Sequence, residues 1–302
     1  HDVRSLQMLN NLKPVAQGGE AQFPGISVNV CHHGTTNPYF DPYVIIDVNG
    51  TRVGVLGYTN DESSYLGDDL VGVIEVKKCT WDGSSADIAI RDWVNTLRTT
   101  ENCDVVILLS HMGQSRVTSG NDAVIADSGG VEPPEIVISG HWHSWTERVW
   151  KPSSMNGKTI VAEAASYLQY IGEVAVDSIG DYVSAQKHVI RNSEITPDAQ
   201  VENLVTTLIA EYNAASPLHA LDEVIGYSAV DLTMDKDKWW TVSEYPWNAT
   251  NTAGAWITDA MVWKAGQVGY PVDLALQSGG GIRRDIAAGE ITFVKIYEAY
   301  PW

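Results

Sequence analysis

Three of the eight histidines in this 302-residue chain stand where a metal could be gripped. The apolar run 105–109 leads into Ser110-His111-Met112-Gly113. The run 136–138 leads into Ser139-Gly140-His141-Trp142-His143. Continuous apolar runs of this kind read as strands buried on both faces, and open α/β sheets bind ligands beyond the carboxyl ends of their strands. His141 and His143 lie two residues apart, a spacing that directs both side chains the same way in an extended segment. Imidazole is the commonest metal ligand, and histidines mixed with carboxylates suit zinc, manganese or iron. A Gly-His-x-His alone is also ordinary polar turn chemistry; a second histidine placed the same way on another strand favours the metal.

Other candidates carry less. Cys31-His32-His33 would be an extra metal site only if adjacent side chains converged, and adjacent side chains point apart. The three cysteines (Cys31, Cys79, Cys103) allow one disulfide at most and form no C-x-x-C pair. Gly279-Gly280-Gly281 suits a tight turn, and only the Ile282-Arg283 that follows it weighs against that being its whole role. His188 and His219 read as surface or packing residues.

These residues need a scaffold, and the chain reads as α/β. A hairpin is expected from Tyr43–Val48 and residues 52–58 around Asn49-Gly50. A helix follows, with Ala86, Ile90, Trp93, Val94 and Leu97 on one face and Ser84 or Ser85 as its cap. The runs at 105–109 and 136–138 are then strands of a layered sheet, and 159–165, 172–176 and 182–189 are further strands. Thr196-Pro197-Asp198 opens a helix in the order cap, proline, acidic residue, and Val201, Leu204, Val205, Leu208, Ile209 and Tyr212 continue it. Residues 213–221 form the best domain boundary. Beyond them a helix from about 252 to 265 closes on Gly266 and leads into a strand at 272–276.

Composition limits the partners. With 19 basic and 38 acidic side chains the formal charge is 19 − 38 = −19, which disfavours binding to a nucleic acid polymer, whose affinity rests on neutralised phosphates. No apolar run approaches the ~18 residues of a membrane-spanning helix. At 44% apolar residues and 19% charged, the chain has the composition of an ordinary folded protein.

The ordered motifs resemble a known family. Ser110-His111-Met112-Gly113, followed some thirty residues on by Ser139-Gly140-His141-Trp142-His143, resembles the later motifs of the calcineurin-like metallophosphoesterases. His1-Asp2 is similar to the end of their Gly-Asn-His-Asp/Glu motif. Leu276-Gln277-Ser278-Gly279-Gly280-Gly281-Ile282-Arg283 resembles the glycine-rich signature of the 5′-nucleotidase C-terminal domain. Trp256-Ile257-Thr258-Asp259-Ala260-Met261 and Ala299-Tyr300-Pro301-Trp302 are similar to that domain's helix and aromatic segment. The resemblance implies a metallophosphoesterase αββα sandwich over 1–195, a linker helix and hinge over 196–221, and a partial α/β C-terminal domain over 222–302.

That resemblance also implies a function. Two divalent ions, zinc, manganese or similar, assist hydrolysis of a nucleoside monophosphate to nucleoside and phosphate. His111 and His141 would hold one ion and His143 the other. His1 would stabilise the transition state or protonate the leaving oxygen, and Asp2 would orient it. Arg283 would clamp the anion, Trp302 would stack on the base, and Ser278 and Gly280 would line the substrate site. The protein would work outside the cell, in the periplasm or at the cell surface. Ser278 replaces an asparagine common in the signature, and Trp239-Trp240-Thr241-Val242-Ser243-Glu244 lacks an arginine expected near the start of that region. Both departures leave room for a 2′,3′-cyclic-nucleotide phosphodiesterase or a nucleotide-sugar hydrolase of the same fold. The family's early Asp-x-His and Gly-Asp motifs are absent from these 302 residues. A piece of a longer protein is therefore expected, with an inactive surface or scaffold protein that keeps the fold as the alternative.

Overall fold

A computed structural model describes residues 5–61, 66–84, 87–113, 125, 130–150, 159–178, 180–215, 219–234, 251–277 and 279–301. The chain divides into two compact units, His1–Ile195 and Thr196–Trp302.

In the first unit a short helix α1 (Leu6–Asn11) precedes β1 (Val30–His32), β2 (Tyr43–Val48) and β3 (Thr51–Tyr58). The hairpin between β2 and β3 is the expected one. Asn49 and Gly50 both have left-handed backbones, φ 54° and 90°, which matches the twist of the flanking strands. Short strands β4 (Ile74–Val76), β5 (Cys79–Thr80) and β6 (Ile88–Ala89) follow, then helix α2 (Ile90–Thr99). The helix begins later than its apolar spacing suggests. Ile88 and Ala89 pair in parallel with Cys79 and Thr80, which holds them extended, so Ala89 and not a serine precedes the first turn. Ser85 and Ala86 lie outside the described residues.

The unit is completed by β7 (Val105–Ser110), β8 (Ile136–Ser139), β9 (Trp145–Trp150), β10 (Thr159–Ala164), β11 (Tyr170–Val176) and β12 (Tyr182–Val189). Six strands form a mixed sheet in the order β2-β3-β7-β8-β10-β9. Within it β3, β7, β8 and β10 are parallel, and both outer strands run antiparallel. One face carries the core: Leu56, Val106, Leu108, Val137 and Val161 pack with Val94 and Leu97 of α2 and with Val28 and Trp81. Gly54 lets the helix approach, because a Cβ there would lie 2.9 Å from Leu97 Cδ2 and 3.0 Å from Cys103 Sγ. The runs at 105–109 and 136–138 are strands, but they are not buried on both faces. Leu109 and Ile138, which alternate with the core residues, are 40% and 41% exposed. α2 covers one side of the sheet, and the strand period sends every second side chain to the other.

A buried ion pair fixes the entry to β8. Glu135 Oε1 accepts from Arg98 Nη2 at 2.8 Å, and Oε2 accepts from the Val106 amide at 2.6 Å. The same Arg98 nitrogen donates to the Pro133 carbonyl at 2.8 Å. Burial pushes the Glu135 carboxyl above the usual carboxylate range and outweighs the guanidinium beside it. Gly180, at φ +85°, turns the chain between β11 and β12 against this carboxylate. A Cβ there would sit 2.2 Å from Glu135 Cγ.

The second unit opens with α3 (Ala199–Ala215). Asp198, not Thr196, is the capping residue: its Oδ1 accepts from the amides of Gln200 (2.9 Å) and Val201 (3.1 Å). The apolar spacing along α3 is real, yet Val201, Leu204, Val205 and Leu208 all face solvent. β13 (Val224–Ser228) pairs antiparallel with β14 (Gly289–Thr292), and α4 (Thr252–Gln267) and α5 (Phe293–Ala299) complete the unit. Its core joins Leu232, Met234, Ala253, Ile257, Ile282, Ile286, Ile291 and Ala299. The strand expected at 272–276 does not form. Val272, Leu274 and Leu276 are exposed there, and no described strand pairs with the segment. No helix among the described residues is long and apolar enough to cross a membrane.

Candidate functional site

Parallel pairing brings the histidines together. Ser110 at the end of β7 lies opposite Ser139 at the end of β8, so His111 and Gly140-His141 leave the sheet at the same edge. The His111 amide donates to the Tyr58 carbonyl at 3.1 Å, and the Gly113 amide to the Gly140 carbonyl at 2.9 Å. The His111 and His141 rings then meet with centroids 5.4 Å apart and planes at 70°. Glycine at 140 makes this possible, because a Cβ there would lie 2.9 Å from His111 Nδ1.

His143 goes elsewhere. The spacing rule assumed an extended segment, but His141 has φ +88° and His143 has φ +58°. Two left-handed residues two apart turn the chain, and the His143 ring packs against Tyr167 with centroids 5.6 Å apart. Trp142 between them folds over Gly113. A Cβ at Gly113, itself at φ +73°, would fall 2.3 Å from the indole Cδ1 and Nε1. Gly113→Ala is therefore expected to cost about 1–3 kcal/mol by overpacking, read as a lower urea midpoint. An unchanged midpoint would show that the indole moves aside freely.

Two residues that the sequence reading passed over support this edge. Glu163 on β10 is 2% exposed and accepts from the Trp142 amide (3.0 Å) and the Ser144 amide (3.4 Å) through Oε1. Its sequence signal was a lone acid in an otherwise apolar strand, Thr159-Ile160-Val161-Ala162-Glu163-Ala164. Asn29 is fully buried. Its Oδ1 accepts from the Thr59 amide at 2.9 Å, and its Nδ2 donates to the carbonyls of Thr59 and Lys77 at 2.9 and 3.1 Å. This fixes the segment after β3 that runs beside the histidines. A cavity of about 530 Å³ opens there, with His111, His141, Thr59 and Asn60 on its polar side and residues such as Phe23 and Leu70 on its apolar side.

Cysteine and the other described histidines of the first unit do not join this site. Cys31 is buried in the core while His32 faces outward against Tyr39, so Cys31-His32-His33 does not converge. His188 pairs with Glu173 at 2.8 Å and His219 with Glu223 at 2.9 Å, all four side chains being exposed.

As a cation site, the described donors are the right kind but incomplete. Two imidazoles at this separation suit one shared ion. Among the described residues no group of three His, Cys, Asp or Glu side chains is close enough to hold a metal, whereas a closed zinc shell takes four ligands. His1 and Asp2 lie outside the described residues.

In the second unit Gly279–Gly281 forms a single 3-10 turn, with the Ile282 amide donating to the Gly279 carbonyl at 3.0 Å. Ile282 is buried, and the Arg283 amide donates to the Ala299 carbonyl at 2.8 Å. The half-buried Arg283 is thereby fixed beside the end of α5. Tyr300 Oη donates to Gln277 Oε1 at 2.8 Å, which ties the aromatic segment to the start of the glycine-rich one. Gly280 sits in the turn; Ser278 and Trp302 lie outside the described residues.

A mixed α/β unit with histidines at neighbouring strand tips, followed by a smaller α/β unit with a glycine-rich turn, is the layout of the 5′-nucleotidase fold. A 5′-nucleotidase precursor from Thermus thermophilus matches 93% of this chain and 54% of its own, with a TM-score of 0.63 and 24% identity. A putative 5′-nucleotidase from Staphylococcus aureus matches 93% and 51%, with a TM-score of 0.53 and 15% identity. Residues 224–302 match the family model described as the 5′-nucleotidase C-terminal domain. The recognition of the chain as 5′-nucleotidase-like from its motifs holds. Among curated relatives, the trifunctional nucleotide phosphoesterase protein YfkN of Bacillus subtilis is 24% identical over 274 residues, 86% of this chain and 16% of that protein. Protein UshA of Yersinia enterocolitica is 24% identical over 322 residues, 93% of this chain and 54% of that protein. The chain thus spans about half the length of UshA and a smaller part of YfkN.

Proposed function

We propose that this protein hydrolyses phosphate esters of nucleotides, releasing phosphate from nucleoside monophosphates with the help of divalent cations such as zinc or manganese. The observation that carries the reading is the meeting of His111 and His141, 5.4 Å apart, at the tips of adjacent parallel strands. A chain whose residues 224–302 match the 5′-nucleotidase C-terminal domain supports it. His111 and His141 would hold a cation, and the remaining donors are assigned to residues outside the described set; His143 is assigned to a second ion. A bound divalent cation supplies positive charge that polarises a phosphoryl oxygen and lowers the pKa of water. His1 is assigned to the leaving oxygen or the transition state and Asp2 to orienting it. In the second unit Arg283, with its five donors in a rigid fork, is assigned to the phosphate anion, Ser278 and Gly280 to lining its site and Trp302 to the base. By this reading residues 1–195 are a metallophosphoesterase domain, 196–221 a linker and 222–302 the substrate-binding domain, and the protein acts outside the cell, in the periplasm or at the cell surface.

A second reading, hydrolysis of 2′,3′-cyclic nucleotides or nucleotide sugars, gains support from the Bacillus subtilis relative, named a trifunctional nucleotide phosphoesterase. The protein, purified with manganese or zinc, is to be assayed for phosphate release from AMP, 2′,3′-cyclic AMP and a nucleotide sugar. Release from AMP above the other two supports the first reading. A metal-loaded protein active on none of them removes both and leaves a scaffold.

A further inference from the structure

Glu163 occupies a position that core packing alone does not explain. It lies on β10 in the same row as Ser139 and Ser110, one residue from each of three adjacent parallel strands. All three are buried, and Glu163 Oε2, Ser139 Oγ and Ser110 Oγ have no hydrogen-bond partner among the described residues. A buried carboxylate with one idle oxygen is costly to keep. Its other oxygen is not idle: Oε1 receives the amides of Trp142 and Ser144, which flank His143.

The loop so held is strained. His141 and His143 are left-handed at φ +88° and +58°, and in the turn after β10 Ala165, Tyr167 and Leu168 are left-handed at φ +56°, +57° and +54°. Side-chain-bearing residues persist in this region only where their surroundings dictate it. Two further ties join the same segments: the Ala165 amide donates to the Ser144 carbonyl at 3.0 Å, and Tyr167 lies against His143. The loop itself is open to water, Trp142 being 52% exposed, so core packing does not set its path.

We propose that Glu163 is a positioning residue, a carboxylate clamp that sets the strained path of 141–143 and so aims His141 at His111 and His143 at Tyr167. Its value to catalysis rests on the phosphoesterase reading above; the clamp itself does not. Glutamine keeps an acceptor at Oε1 and alanine removes it, so the two substitutions separate the clamp from simple bulk.

Hydrogen exchange by NMR, in metal-free protein without substrate, reads the clamp directly. In the unmodified protein the Trp142 and Ser144 amides are expected to exchange at least ~10-fold slower than unprotected loop amides, as hydrogen-bonded amides do. Glu163→Ala should abolish that protection, and Glu163→Gln should retain most of it. Fast exchange of both amides in the unmodified protein, or full protection in Glu163→Ala, overturns the proposal whether or not either variant folds well. Under the phosphoesterase reading Glu163→Ala should also lower kcat about 100-fold, the cost of a displaced catalytic group, with rescue by Glu163→Gln. A clamp seen by exchange in a protein that hydrolyses no nucleotide sinks the enzymatic reading and leaves the clamp standing.

Discussion

Arg98→Met is expected to destabilise the first unit by about 3–5 kcal/mol, the cost of leaving a buried charge without its partner. The guanidinium is the only side chain described as bonding Glu135 Oε1, at 2.8 Å, and both side chains are mostly shielded from water. Methionine fills similar space but returns no charge. The loss depends on pH with a definite sign. Burial already raises the Glu135 carboxyl above its unfolded value, so the folded state holds the proton more tightly than the unfolded one. Stability from this group is therefore greatest at or below the unfolded value and falls as pH rises through the folded one. Removing Arg98 raises the folded value further. The deficit should be complete at neutral pH and shrink as acid protonates Glu135. Urea denaturation at pH 7 and near pH 5 checks this. A deficit below about 1 kcal/mol, or one equal at both pH values, would show that the unit relaxes to let water reach the carboxylate.

Under the phosphoesterase proposal, His111→Ala should abolish phosphate release and cation binding, while leaving the fold nearly untouched. Outer partners of metal ligands cost roughly 10–100-fold in affinity or activity when removed, and a direct ligand should cost more. The ring is exposed, so the stability change is expected within about 0.5 kcal/mol. His141→Ala should match it, because the two rings converge. His143→Ala is the informative contrast, since its ring packs against Tyr167. Cation content measured beside activity decides the matter. Undiminished metal in His111→Ala would remove that ring from the site.

Part of this was legible in the sequence because the signals were local. Two apolar runs each ending in histidine gave β7, β8 and the positions of His111 and His141, and Asn49-Gly50 gave the hairpin. The C-terminal signature was carried by contiguous residues, and residues 224–302 match that family. What local pattern left open depended on pairing. The start of α2 moved because Ile88 found a partner in Cys79. The segment at 272–276 pairs with no described strand. His143 departed from His141 because of backbone dihedrals that a two-residue spacing does not encode. Glu163 escapes a linear reading because its role lies in two amides about twenty residues earlier, reached only when β8 and β10 lie side by side. The expectations for His1, Asp2, Ser278 and Trp302 concern residues outside the described set.

The cysteines have a practical use that follows from where they sit. Cys31, Cys79 and Cys103 are all buried, and all three belong to the first unit. Loss of solvation lifts the Cys31 thiol to about 11 and raises Cys103 as well, so neither offers much thiolate at neutral pH. A thiol-reactive dye should stay dark on the native chain and brighten only when that half opens. The speed of colour development would then clock the opening of one half while the cysteine-free half stays silent, with no reporter residue introduced.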